Sequence, residues 1–115
     1  MSDSRAFDVD GVPTIAVPDL APDAVVVDVR EDDEWAAGHA PDAVHVPMGQ
    51  IPQRLQELPE GRLYVVCRSG GRSRRTVEWL QGHGVDAVNV EGGMAAWSEA
   101  GRPMVADAGQ TPFVR

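Results

Sequence analysis

The residues best suited to chemistry lie at 65–73, Val-Val-Cys-Arg-Ser-Gly-Gly-Arg-Ser, where an apolar run ends in the chain's one cysteine and a glycine-rich turn follows. Gly70 and Gly71 open backbone conformations that other residues avoid, so the chain can curl until successive amide N–H groups point inward. Such a nest binds anions. A helix starting just beyond it adds its positive end, and Arg68 and Arg72 add full charges. Within that field the thiolate of Cys67 is favoured over the thiol, which makes the sulfur nucleophilic near neutral pH. Arg68, Ser69, Gly70, Gly71, Arg72 and Ser73 are the expected binding loop, holding the sulfur anionic and exposed. The bland alternative is a core cysteine at a strand end, since free cysteine is among the most buried residue types.

Other residues can support this loop. Asp28 and Arg30 follow the apolar run at 24–27, and Glu34 is spaced to pair with Arg30 across one helical turn. All three are expected to brace the loop from its rim. Trp35, Trp79 and Trp97 are expected to pack on a sheet, with Trp35 also bordering the site. His39 and His45 lack metal-ligand spacing, so no metal and no cofactor is expected. His83, between two glycines, reads as a solvated helix end. All ten basic residues are arginine, and Arg68, Arg72, Arg74 and Arg75 fall within eight positions of a chain with formal charge -8. That local excess suits an anionic donor or an acidic partner, whereas the net charge opposes general nucleic-acid binding.

Elements must carry these residues to one place. Apolar, β-branched runs at 14–17, 24–29, 43–46, 62–67 and 87–90 read as five strands. Amphipathic stretches at 31–37, 51–58, 72–81 and 93–100 read as helices, stopped by Gly38, Pro59, Gly82 and Gly101. The central strands are almost continuously apolar, as strands covered on both faces are, which predicts a parallel sheet in an α/β fold. Ligands of such sheets bind beyond the carboxyl ends of the strands, where Asp28, Arg30, Cys67 and the turn Glu91-Gly92-Gly93 should converge. The turn is expected to let the last helix approach the rim. With 115 residues, 43% of them hydrophobic, the chain reads as one domain with a core at about 10–103 and loosely ordered ends at 1–11 and 103–115. A single cysteine excludes an internal disulfide. The polar, acidic start and the lack of a long apolar run point to the cytoplasm, away from any membrane.

The segments AVVVDVR, EW, GHAPDAVHVPM, VVCRSGGRS and VEGGMAAW together resemble the rhodanese family over about residues 10–103. The resemblance implies a three-layer α/β/α fold with a five-stranded parallel sheet and a six-residue loop, 67–72, cradling the cysteine. It also implies double displacement. The Cys67 thiolate takes the outer sulfur of a small anionic donor such as thiosulfate, sulfite leaves, and the persulfide passes its sulfur to a thiol, to cyanide or to a sulfur-accepting protein. Two alternatives stand beside it. Cysteine phosphatases and arsenate reductases of the same fold use a longer C-x5-R loop, which would need arginine at 73, where Ser73 stands. A catalytically silent rhodanese module, used for binding or regulation, is the other.

Overall fold

The structure, a computed structural model, describes residues 5–115. Its six strands, β1 (Phe7–Val9), β2 (Val12–Ala16), β3 (Val26–Asp28), β4 (Val44–His45), β5 (Leu63–Val66) and β6 (Ala87–Glu91), form one sheet in the order β1-β2-β6-β5-β3-β4. Every neighbouring pair is parallel except β1 with β2. Three α-helices, α1 (Asp32–Ala37), α2 (Gly71–Gly82) and α3 (Gly93–Glu99), complete the α/β architecture.

Side chains alternate along the strands, so each buried strand feeds two cores. Leu63, Val65 and Cys67 join Val27, Ala87 and the α2 residues Val77 and Leu80 on one face. Val66, Val88 and Val90 join Ile15, Met94 and Trp97 on the other, under α3. With apolar side chains on both faces, β3, β5 and β6 satisfy their backbone groups in the ladder and bury their side chains under helices. Cys67, directly after β5, therefore falls on the α2 face, as does Asn89 of β6.

Two expectations change. The five parallel strands are joined by a sixth, antiparallel edge strand, β1. Asp10 and Gly11, with φ of 50° and 84°, turn the chain between Val9 and Val12 in the conformation whose twist matches a two-residue hairpin. The stretch 51–58 is not a helix. It forms turns and a 3₁₀ segment, Leu55–Glu57, after another at Met48–Gln50. Pro52 lacks a donor, Arg54 leaves the helical region (φ -109°, ψ 17°), and eight residues are too few to sustain an α-helix on propensity. Ile51, Leu55 and Leu58 still cover the α2-side core.

Both ends are engaged although neither shows periodicity. Phe7–Val9 pairs with β2, while residues 1–4 lie outside the described residues. Beyond α3, Trp97 Nε1 donates to the Pro103 carbonyl (2.9 Å), Val105 bridges to His39, and the Phe113 N–H donates to the Ala37 carbonyl (3.0 Å). Arg102 lies over the Trp97 ring and donates to the carbonyls of Val17 and Leu20, tying the end of α3 to the start of the core. Among the described residues no helix is long and apolar enough to cross a membrane.

Candidate active site

The chain leaves β5 at Val66 and re-enters regular structure at Gly71, so residues 67–70 make the turn onto α2. Gly70 takes φ +119°, open only to glycine, and its N–H donates to Cys67 Sγ at 3.0 Å. Gly71 needs no such freedom, contrary to the expectation that both glycines would. Ser73, in the first turn of α2, points its hydroxyl at the same sulfur from 3.4 Å. Burial by itself pushes the Cys67 thiol up. The Ser73 hydroxyl and the backbone N–H groups of Ser73, Gly70 and Ser69 outweigh it and hold the thiol below its ordinary value.

The other side of the loop is clamped by α3. Met94 N–H donates to the Cys67 carbonyl (2.8 Å) and Ala95 N–H to the Arg68 carbonyl (3.0 Å). With those carbonyls drawn outward, the following amides face the sulfur. The clamp requires Gly93: at φ +54° a side chain is strained, and a Cβ there would collide with the Cys67 carbonyl oxygen and the Arg68 carbonyl group. The turn at 91–93 thus does more than approach the rim, because it sets the direction of the loop's dipoles.

Arg68 and Arg72, expected to add full charges to the nest, each have a partner. Arg72 binds Glu34 through two bonds, Nη1 to Oε1 at 2.7 Å and Nη2 to Oε2 at 2.8 Å. Glu34 therefore pairs with Arg72, not Arg30. Its carboxyl falls to about 2, chiefly through that bond, and the Arg72 guanidinium rises for the same reason. Glu34 also accepts the Glu31 N–H (3.1 Å) in the capping box that starts α1, so one carboxylate fixes both the helix and the loop's last arginine. Arg74 meets Asp10 (3.2 Å) and Arg68 donates to the Arg115 carbonyl (3.2 Å). Among the described residues Arg75 has no ion-pair partner; it edges a cavity of about 220 Å³ beside Met48, Ile51 and Trp79. The field on Cys67 comes first from backbone N–H groups and one hydroxyl.

Asp28 and Arg30, expected at the rim, are 0% exposed beneath it. Arg30 Nε and Nη2 hold both Asp28 oxygens at 2.7–3.1 Å, and Nη2 also donates to the Gly38 carbonyl. Arg30 Nη1 has no partner among the described residues. The pair fixes where β3 turns into α1, and so where Glu34 stands. Trp35 stacks between His39 and His45, with ring centres at 3.6 and 4.6 Å, and each imidazole also bonds a backbone carbonyl. Trp79 stacks on His83 at the far end of α2.

One expectation is corrected and one residue was missed. The sulfur was expected to be exposed, but Cys67 is only 1% exposed, enclosed by its loop on one side and by the core beneath α2 on the other. The adjoining cavity, about 250 Å³, is lined by Ser69, Gly70, Gly71, Arg74, Asn89 and Glu91 among others, and Cys67 is not in its wall. A larger one, about 400 Å³, lies at the opposite ends of β3 and β4, around Ala24, Ala43, Trp97 and Arg102, remote from this chemistry. The missed residue is Asn89, whose Oδ1 accepts from Ser73 Oγ at 2.6 Å. A lone asparagine in an apolar strand was the one available signal.

The chain is similar to known proteins over most of its length. A family model described as "Rhodanese-like domain" matches residues 18–100. A putative sulfurtransferase, YtwF, of Bacillus subtilis is 47% identical over 68% of this chain and 77% of its own. A sulfurtransferase of Allochromatium vinosum is 43% identical, covering 76% and 83%. The crystal structure of a rhodanese-related protein from Thermoplasma volcanium superposes with TM-score 0.75 at 32% identity, over 80% of this chain and 96% of that one.

Proposed function

This chain belongs to the rhodanese-like family, and we propose that it is a sulfurtransferase that carries a sulfane sulfur as a persulfide on Cys67. The observation that carries the reading is the ring of donors on one sulfur: Gly70 N–H at 3.0 Å and the Ser73 hydroxyl at 3.4 Å, on a loop whose carbonyls α3 turns away. Such an arrangement stabilises an anionic sulfur and does so again after transfer, since a persulfide is also an anion near neutral pH.

With thiosulfate as donor, the Cys67 thiolate attacks the outer sulfur. The new S–S bond forms as the old one breaks, and sulfite leaves with the bonding electron pair. An acceptor thiolate or cyanide then attacks the outer sulfur of the persulfide and returns the Cys67 thiolate. No net oxidation occurs and no second cysteine is needed. The loop amides supply preorganised stabilisation of the charge on the enzyme sulfur in both halves of the cycle. Arg72 stays charged beside the loop under the hold of Glu34, adding a fixed positive potential toward an incoming dianion. Because Cys67 is buried, the backbone at 69–71 must yield slightly to admit the donor's sulfur. Sulfur carriers or other thiol-bearing proteins are acceptors of suitable chemistry.

Intact-mass spectrometry after incubation with thiosulfate tests the reading. The expected product is the protein plus one sulfur atom, reversed by cyanide or a reducing thiol, and no gain in Cys67→Ser. An unchanged mass in the wild type, or hydrolysis of an aryl phosphate in its place, overturns it.

A further inference from the structure

The Ser73 hydroxyl has one proton and three acceptors within reach. Asn89 Oδ1 lies at 2.6 Å, the Gly70 carbonyl at 3.2 Å and Cys67 Sγ at 3.4 Å. Only one of them can take a short, linear bond from that proton at a time, and the shortest contact belongs to Asn89. Ser73 is 0% exposed and Asn89 7%, so water has little room to relieve the competition at the hydroxyl. Asn89 also sits in the middle of β6, between Val88 and Val90 and in register with Val65 of β5, where a residue without a function would be apolar.

We propose that Asn89 is a positioning residue that sets the basicity of the Cys67 sulfur through Ser73, by competing with the sulfur for this one proton. The inference rests on the reading of Cys67 as a sulfur carrier. In that cycle the sulfur must attack a donor and later serve as the leaving group, and these demands conflict. A thiolate held by every available donor leaves easily but attacks weakly, because nucleophilicity falls as basicity falls. Drawing the Ser73 proton toward Asn89 leaves the backbone N–H groups to stabilise the anion and keeps the sulfur basic enough to attack. Among the groups that lower the Cys67 thiol the Ser73 hydroxyl comes first, so drawing its proton toward Asn89 tempers that lowering where it is largest. The charged groups facing the loop are Arg68, Arg72 and Arg74, Glu34 on α1, Asp28 at the end of β3 with Arg30 after it, and Glu91 at the end of β6. Substitutions at Asn89 and Ser73 leave all of them in place.

The test is the pH profile of Cys67 alkylation by iodoacetamide, which counts thiolate and involves no sulfur donor. Asn89→Leu, of similar size, and Asn89→Val, suited to a strand, remove the shortest competing acceptor and leave the proton to Sγ, since the Gly70 carbonyl at 3.2 Å is long for an O–H···O bond whereas 3.4 Å is within reach of the larger sulfur. Each is expected to move the midpoint down, so that the thiolate fraction below it rises roughly three- to tenfold and alkylation there runs about two- to fourfold faster. At high pH, where all the sulfur is thiolate, the rate per thiolate should fall. In a Ser73→Ala background the same Asn89 substitutions should change the profile by less than about twofold, since the hydroxyl they act through is gone. A midpoint that rises or stays put on loss of Asn89 overturns the proposal, and so does a shift of undiminished size without Ser73. Failure of persulfide formation in the mass experiment would instead overturn the sulfurtransferase reading, and leaves this profile interpretable.

Discussion

Replacing Glu34 by glutamine isolates the ion pair that fixes the end of the cysteine loop. The shape is kept, and the amide oxygen of Glu34→Gln can still accept the Glu31 N–H and preserve the capping box of α1. What is lost is the charge opposite Arg72. A fall in the Glu34 carboxyl from 4.5 to about 2 corresponds, at about 1.4 kcal/mol for each tenfold in proton affinity, to about 3 kcal/mol at neutral pH. The Arg72 side reports the same bond and is not added. Glu34 and Arg72 are 14% and 28% exposed, so screening trims the figure and about 2 to 3 kcal/mol is expected. The sign follows from the depressed carboxyl. Its contribution is complete above about pH 5, where the unfolded chain is also ionised, and is lost as pH falls from 4.5 toward 2. At pH 3 roughly 1 kcal/mol should remain. Urea unfolding followed by tryptophan fluorescence at pH 7 and pH 3, wild type against Glu34→Gln, measures the difference directly. If the gap is as large at pH 3 as at pH 7, the cost lies in packing and the ion-pair argument is wrong.

Two further outcomes follow from the geometry. Gly93→Ala forces a Cβ into the Cys67 and Arg68 carbonyls at a left-handed position, so it should cost about 2 to 4 kcal/mol of stability and raise the alkylation midpoint of Cys67; a fully stable variant with wild-type reactivity would show that the α3 clamp is dispensable. Asp28→Asn strands the buried Arg30, whose Nη1 already lacks a partner among the described residues, and should destabilise by about 3 to 5 kcal/mol in chemical unfolding, with a loss below about 1 kcal/mol arguing that water reaches the guanidinium.

The cysteine loop was legible because its signal is local: strand, sulfur, glycine pair and helix follow one another in nine residues, and each states its conformational demand in its own type. The parallel strands were legible for a similar reason, since burial on both faces writes a continuous apolar run. Where a partner lies far along the chain, spacing misleads. Glu34 looked paired to Arg30 by helical arithmetic, but Arg30 precedes the helix and turns back onto Asp28, which leaves Glu34 to a residue 38 positions away. The edge hairpin was missed although Asp10-Gly11 is a strong turn signal, because the flanking segments are too short to show alternation.

From the sequence alone came the candidate nucleophile, the C-x4-R spacing of its loop and the α/β order of elements, all properties of neighbouring residues. Only the tertiary structure decided which groups face the sulfur. Hydrogen-bond direction depends on φ and ψ and on what covers the opposite side of the peptide, so the clamp by α3, the engagement of Arg72 by Glu34, and the contest between Asn89 and Cys67 for one proton exist only once β5, β6 and three helices are packed together.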